Sequence, residues 1–273
     1  MQPTPLVDIG INLTHESYDA DRDAVLARAR GAGVGWMIVT GATLPGSAAA
    51  AQLAAAHPDC LAATAGIHPH HAAECTREAI AQLRSLLARP CMVAGGECGL
   101  DYFRMIAPAP VQEAAFRSQV ELAIELGLPL FLHCREAHAD FVRILRSYGK
   151  QLPRSVVHCF TGTVAEVLEC LALDLYVGIT GWICDERRGQ HLDAVVREIP
   201  PDRLLVETDG PYLLPRDLTP RPRDRRNEPA FLPHIVARIA RARGEPAAAL
   251  AASSTAAARV LFTLPGRHYL AAH

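Results

Sequence analysis

The chain has 273 residues, of which 50% are apolar and 21% are charged, and its formal net charge at pH 7 is −2. This near-neutral balance excludes a strongly basic protein that grips duplex DNA through many phosphate contacts. No apolar run approaches the roughly 20 residues that a membrane-spanning helix needs.

Eight short apolar runs, bounded by Gly, Pro or Asp, have the composition of buried parallel strands. They are predicted at Leu6–Ile9, Trp36–Thr40, Ala62–Gly66, Met92–Gly95, Leu130–His133, Val156–Cys159, Tyr176–Ile179 and Leu204–Glu207. Apolar spacing near the helical period predicts helices at Asp23–Ala32, Ser47–Ala56, Thr76–Ala88, Val111–Leu126, Ala137–Tyr148, Val164–Ala172 and Gly189–Glu198, and in the Ala-rich tail 245–262. Eight strand–helix repeats, without a Gly-rich dinucleotide motif after the first strand, predict an α/β fold of the (β/α)8 TIM-barrel type.

The chain is expected to form a single domain over residues 1–273, because no linker rich in Pro, Gly and Ser divides it. The Pro/Arg stretch 211–229 is interpreted as a long loop after the eighth strand. Five arginines make it the one basic patch: Arg216, Arg221, Arg223, Arg225 and Arg226. Taken alone, this patch is interpreted as a solvated loop, and a nucleic-acid contact is the alternative.

The N-terminal segment and the cysteines indicate the cellular compartment of the protein. No basic segment followed by an apolar stretch lies between Met1 and Asp8, so no signal peptide is predicted and a cytoplasmic location is expected. None of the eight cysteines forms a CxxC pair. Reduced cysteines that pack in the core are therefore favoured over a disulfide framework or a zinc finger.

Polar residues stand where several predicted strands end, which is where such a barrel has its active site. Any one of them has an ordinary explanation, such as a hydrogen-bonded buried histidine or a helix cap. Four together at one end of the barrel, Glu97, His133, His158 and Asp209, are costly to bury unless a divalent cation neutralises them. The ligand types fit Mg²⁺, Mn²⁺ or Zn²⁺, and coordination chemistry alone leaves that choice open.

This site predicts metal-assisted hydrolysis. A metal lowers the pKa of a bound water and offsets charge on a phosphoryl oxygen, and Asp209 is placed to accept the proton of that water. The loops add guanidinium groups that suit phosphates, from Arg135, Arg187 and Arg188. Tyr212 and Trp182 are interpreted either as platforms for an unpaired base or as loop packing.

The motifs Gly-Glu-Cys-Gly-Leu-Asp at 96–101 and His-Cys-Phe-Thr-Gly at 158–162 resemble those of the TatD nucleases, amidohydrolase-like metal-dependent hydrolases. Matching segments run in order from Asp8–Thr14 to Arg226–Pro229, and they look closest to the bacterial TatD subgroup. The resemblance implies a TIM-type barrel, Mg²⁺ as the metal, and 3′→5′ exonuclease activity on single-stranded DNA and RNA. It also implies a part in DNA repair, and we expect a monomer that binds no membrane.

Residue roles carry over from the resemblance position by position. Glu97, His133 and His158 match the metal ligands, and Asp209 matches a catalytic or metal-binding aspartate. A further catalytic or substrate-side role is implied for His68, with Glu97 also counted as catalytic. Asp101 and the Arg135 segment match substrate-side positions.

The sequence departs from most relatives at the end of the first strand. Gly10 and Asn12 occupy the positions of their His-x-His pair, as in the TatD subgroup. The loss of two imidazoles predicts one well-held metal with a second, exchangeable one. Asn12 is expected to ligate through its oxygen or to hold a water on the substrate side.

Two other functions remain open at this stage. A small-molecule amidohydrolase or phosphoesterase can use the same barrel, because fold alone does not select a substrate. A non-catalytic binding protein is the third possibility. The arginine-rich loops favour the nuclease, and a binding role does not require the set of Glu97, His133, His158 and Asp209.

Overall fold

The computed structural model describes residues 5–264, and its centre is a sheet of eight parallel strands paired in sequence order. The strands are β1 (Leu6–Ile11), β2 (Val34–Val39), β3 (Leu61–Ala65), β4 (Met92–Asp101), β5 (Leu130–Arg135), β6 (Ser155–Val157), β7 (Tyr176–Ile179) and β8 (Leu204–Val206). All eight strands lie where the sequence predicts them. Strands and helices alternate around a nearly closed barrel, so the predicted (β/α)8 fold is confirmed.

Helices connect the strands and cover the outside of the barrel. They are α1 (Arg22–Gly31), α2 (Leu44–Ala56), α3 (Arg77–Leu87), α4 (Ala109–Leu126), α5 (His138–Tyr148), α6 (Val164–Ala172), α7 (Leu192–Glu198), α8 (Leu232–Arg243) and α9 (Ala247–Phe262). All but α8 are among the predicted elements. The spacing of Leu232, Ile235, Val236 and Ile239 is helical, and these side chains are buried, so the signal for α8 is present just beyond the Pro/Arg loop.

Strand β4 is longer than predicted, because its glycines do not end it. The sequence places the end of this strand at Gly95, whereas the strand continues to Asp101 with a register shift between Gly95 and Cys98. Gly96 and Gly99 have φ angles of +126° and +147°, and a Cβ at either would collide with a carbonyl oxygen of β5. Only glycine tolerates this conformation, which lets the irregular strand carry Glu97 past the end of β3 at Ala65.

The core has two layers, one inside the barrel and one between the barrel and its helices. Alternate strand residues such as Ile9, Ile38 and Phe131 form the interior cluster. Helix α9 packs against β1 and β8 and adds Leu261 and Phe262 to this cluster. Side chains of α9 thereby complete the apolar interior of the barrel. All eight cysteines are free, and no helix within residues 5–264 is long and apolar enough to cross a membrane.

No ladder pairs β8 with β1 within the described part of the chain, and individual hydrogen bonds close the barrel between these two strands instead. The backbone N–H of Asp209 donates to the Gly10 carbonyl at 2.8 Å. The fully buried carboxylate of Asp8 accepts from the Thr208 backbone N–H at 2.9 Å and from its hydroxyl at 2.5 Å. Asp8 thus takes the place of a ladder partner and holds the end of β8 against β1.

Two buried glutamines on α4 support the ends of β3 and β4. The side-chain oxygen of Gln119 accepts from the Ile67 N–H at 2.7 Å, and its nitrogen donates to the Ile67 carbonyl at 3.0 Å. Gln112 makes the same two contacts with Asp101, at 2.8 and 3.0 Å. Each glutamine therefore replaces two backbone hydrogen bonds where a strand has ended, directly beside candidate site residues.

We expect Gln119→Leu and Gln112→Leu each to lower the free energy of unfolding by about 2–4 kcal/mol, because each leaves one buried backbone donor and one acceptor unpaired. Denaturant unfolding measures this loss. Ser118→Ala, an exposed change on the same helix, is the control and should shift stability by less than about 0.5 kcal/mol. A glutamine variant as stable as this control would contradict the supporting role.

Candidate metal centre

The buried carboxylate of Glu97 brings three imidazoles together at one end of the barrel. Its Oε1 atom lies 2.9 Å from Nδ1 of His133, 2.8 Å from Nε2 of His158 and 3.4 Å from Nε2 of His68. These four residues come from the ends of β3, β4, β5 and β6. Three of the four ligands predicted from the sequence, together with the predicted active-site His68, therefore meet at one oxygen atom.

Burial and charge shape the proton affinities in this cluster. Burial alone would raise the pKa of Glu97, but the neighbouring imidazoles of His158 and His68 and hydrogen bonds from His133 and His158 hold that pKa well below its usual range. Burial also opposes protonation of His158, yet Glu97 and Glu207 raise its pKa well above the usual value. For His68 burial dominates and lowers the pKa to about 3. Glu97 is thus ionised and His68 neutral at pH 7.

Two further carboxylates follow β8 at the same end of the barrel. Asn12 donates from Nδ2 to Oδ1 of Asp209 at 3.1 Å, which ties the loop after β8 to the end of β1. Burial, together with the charges of Glu97 and Glu207, raises the pKa of Asp209 to about 7. The side-chain oxygen of Asn12 is the group that remains available for a ligand or water.

Glu207 belongs to this cluster, although it is absent from the predicted site residues. It is completely buried, accepts from the Cys159 N–H at 2.5 Å, and places Oε2 3.5 Å from Nδ1 of His158. The sequence signal that could have found it is its position directly after the eighth apolar run and two residues before Asp209.

Two glycines make room for the Glu207 carboxylate. A Cβ at Gly10 would lie 2.4 Å from its Oε2, and a Cβ at Gly178 would lie 2.5 Å from its Oε1. Any side chain at position 10 would therefore require Glu207 to move. The glycine that replaces the first histidine of the His-x-His pair is thus coupled to the position of this acid.

The residues of the cluster fit a divalent cation. Ligand atoms of His68, Glu97 and His133 all lie within 4.8 Å of one another. Within residues 5–264, Nε2 of His133, Nδ1 of His158 and Oε2 of Glu207 are buried without a hydrogen-bond partner. Unpartnered buried polar atoms are costly, and a cation held by imidazole and carboxylate groups satisfies such atoms.

Asp101 faces histidines rather than solvent. Its Oδ2 lies 2.7 Å from Nε2 of His70 and 3.6 Å from Nε2 of His133, and its Oδ1 accepts from the Arg104 N–H at 2.8 Å. Although burial raises its pKa, the neighbouring His133 imidazole and the hydrogen bond from the Arg104 N–H give a net lowering. This geometry suits an acid that orients imidazoles better than one that contacts substrate directly.

Arginines and aromatic rings line the rim beside the cluster. The guanidinium of Arg135 lies 4.5 Å from the Phe103 ring centroid and 5.5 Å from that of Trp182. Arg188 lies 4.7 Å from the Trp182 ring. The predicted residues Arg135 and Trp182 are therefore neighbours, although 46 residues separate them in the sequence.

Arg187 and Arg188 share one buried acceptor and remain accessible. Both approach the carboxylate of Asp185, at 3.4 and 3.3 Å, while their side chains are 56% and 61% exposed. Tyr212 is also exposed, at 52%, and its ring meets His15 edge-on at 5.7 Å between centroids. Asp185 thus orients two cations that still present charge to the solvent.

The basic loop after β8 is neutralised in part. Its charged contacts include Arg216–Glu186 at 3.2 Å, Arg226–Asp21 at 2.7 Å and Asp217–His234 at 2.7 Å. Asp217, His234 and Cys184 form a second group whose ligand atoms lie within 4.8 Å, and the ion pair accounts for two of its members. Ion pairs therefore anchor the loop to its surroundings, and they involve arginines that from the sequence alone form an unpaired basic patch.

Comparisons with known proteins agree with this geometry. The family described as TatD related DNase matches residues 7–263. A 3′-5′ ssDNA/RNA exonuclease TatD of Erwinia tasmaniensis is 54% identical over 259 residues, which cover 95% of this chain and 100% of that relative. One of the same description from Edwardsiella piscicida is 53% identical over 259 residues, with the same two coverages.

Solved structures give the same result. A TatD family hydrolase of Entamoeba histolytica superposes with a TM-score of 0.86 at 26% identity, covering 96% of this chain and 99% of that chain. A TatD homolog of Escherichia coli reaches a TM-score of 0.85 at 29% identity, with coverages of 95% and 98%. With the family match extending over nearly the whole chain and relatives above 50% identity, the chain belongs to the TatD-related DNase family.

Proposed function

We propose that this protein is a metal-dependent exonuclease that removes nucleotides from the 3′ end of single-stranded DNA and RNA. The observation that carries the proposal is the shared contact of three imidazoles with the Glu97 carboxylate, in a chain more than 50% identical to relatives that carry this activity in their names. Family membership supports metal dependence, and Mg²⁺ is our choice of metal, with Mn²⁺ or Zn²⁺ as alternatives.

We assign the metal to Glu97, His133, His158 and Asp209. When bound, the cation lowers the pKa of an attacking water and offsets charge on the scissile phosphate. Glu207 stands behind His158 and fixes the orientation of its ring through Nδ1. Asp101 does the same for His133 and His70.

Asp209 and His68 are the candidates for proton transfer and charge stabilisation. Asp209 lies at this end of the barrel, and a carboxylate beside the attacking water can accept its proton. The hydrogen bond from Asn12 holds the Asp209 carboxylate in place. His68, kept neutral by burial, is placed to donate a hydrogen bond to a phosphate oxygen.

The substrate strand is expected to cross the rim that carries Arg135, Arg187, Arg188 and Tyr212. Guanidinium groups bind phosphates bidentately, and exposed aromatic rings stack on unpaired bases. A net charge of −2 supplies little general attraction for duplex DNA, which favours single strands. A part in DNA repair, a cytoplasmic location, a monomeric state and a single-domain organisation remain predictions.

The purified protein should shorten single-stranded DNA and RNA labelled at the 5′ end in Mg²⁺ buffer, and EDTA should stop the reaction. Blunt duplex of the same sequence should be degraded at least about 10-fold more slowly, because its phosphates demand more positive charge than the rim offers. Equal rates on duplex and single strands would contradict the single-strand preference. No cleavage in any metal would favour an amidohydrolase or a binding protein on the same barrel.

Glu97→Gln should reduce exonuclease turnover by at least about 100-fold, because it removes the charge at which three histidines meet. Calorimetric titration with Mn²⁺ should find one tight site in the wild type and none in this variant. Glu78→Gln, on the exposed face of α3, is the matched control and should behave as wild type. Two tight sites in the wild type would contradict the expected single metal, and undiminished turnover in Glu97→Gln would refute the site.

Replacing Arg187 and Arg188 together with Ala should raise KM for single-stranded DNA about 10-fold or more with a smaller effect on kcat, since a hydrogen bond to a charged group contributes roughly 1.5 kcal/mol. Steady-state kinetics on a short oligonucleotide measure both constants. Arg77→Ala with Arg89→Ala, exposed arginines at the first residue of α3 and just beyond its end, makes the same change in net charge and should leave KM unaltered. Equal KM values for the two double variants would remove Arg187 and Arg188 from the substrate path.

A further inference from the structure

A side pocket of about 300 Å³ lies next to the proposed metal centre. Its floor includes Cys134 and Val157, which are the sequence neighbours of His133 and His158. Because successive side chains in a strand point to opposite faces, this floor lies on the outer side of β5 and β6. One strand thickness therefore separates the pocket from the metal ligands.

The wall of the pocket contains a polar group without a partner. His138, at the start of α5, is mostly buried, and its Nε2 atom has no hydrogen-bond partner within residues 5–264. The nearest carboxylate oxygen, on Glu169, is 4.0 Å away. A buried imidazole nitrogen without a partner is costly, and it can donate to or accept from a ligand in the pocket once the His138 ring turns towards it.

The mouth of the pocket is made of planar and cationic groups. Trp182, Arg135 and Arg188 all line it, and both guanidinium groups lie within 5.5 Å of the indole ring centroid. An indole and stacked guanidinium planes offer surfaces on which an unpaired base packs irrespective of its sequence. The same guanidinium groups can hold the phosphate that leads from the pocket towards the metal centre.

We propose that this side pocket binds the base of the nucleotide next to the scissile phosphate, a proposal that rests on the nuclease function above. A volume of about 300 Å³ is within the range of ligand sites and suits one nucleoside. The base stacks at Trp182, its edge meets Nε2 of His138, and its phosphate lies over the strand ends at Glu97.

The test compares ligands with and without a base on the Mg²⁺-loaded protein. Calorimetry on the wild type with dAMP and with deoxyribose 5-phosphate should give a Kd at least about 10-fold lower for dAMP, as expected when stacking contributes about 1.4 kcal/mol or more. The chain has two tryptophans, Trp36 and Trp182, so the Trp36→Phe variant retains Trp182 as its single tryptophan. In that variant dAMP should quench the fluorescence and deoxyribose 5-phosphate should not.

Position 138 supplies a second readout. His138→Ala should raise the Kd for dAMP about 5-fold and leave that for deoxyribose 5-phosphate unchanged, and His138→Gln, whose amide nitrogen reaches the position of Nε2, should restore binding. Equal affinities for the two ligands, or no quenching of Trp182, would overturn the proposal even if the His138 variants failed to fold. A base preference in a protein that cleaves no nucleic acid would instead sink the nuclease function and leave the pocket standing.

Discussion

A single carboxylate oxygen, Oε1 of Glu97, holds the functional end of this barrel together. Three imidazoles from three other strand ends lie within 3.4 Å of it, in an environment from which water is largely excluded. An isolated buried charge of this kind would be prohibitive, so it persists only with compensating partners. The pKa of Glu97 remains well below its usual range for this reason.

The rest of the fold positions this charge. Glycines in β4 allow an irregular backbone at the register shift where Glu97 lies, and Gln112 and Gln119 satisfy the backbone where β4 and β3 have ended. Asp8 secures the end of β8, and with it Asp209, where the barrel lacks a ladder. Polar side chains thus replace strand pairing at the points where the chain must leave the sheet to build the site.

The rim that carries Arg187 and Arg188 is organised differently, because its charged side chains partly form ion pairs with one another. Asp185 engages Arg187 and Arg188 while both stay exposed, and Arg216 and Arg226 are paired with acids from other parts of the chain. The cations that remain near Trp182 surround a pocket beside the metal centre. We therefore expect substrate recognition at this corner rather than over the whole basic loop.

Local sequence determined which segments form strands and helices, and it placed Glu97, His68, His133, His158 and Asp209 at strand ends, because apolar periodicity is a property of neighbouring residues. Only the tertiary structure decided what depends on distant residues. It put Glu207 behind His158 in space left by Gly10 and Gly178, turned Asp101 towards histidines, and paired Arg226 with Asp21. Such contacts join positions up to about 200 residues apart, and no local pattern encodes which charges meet when a barrel closes.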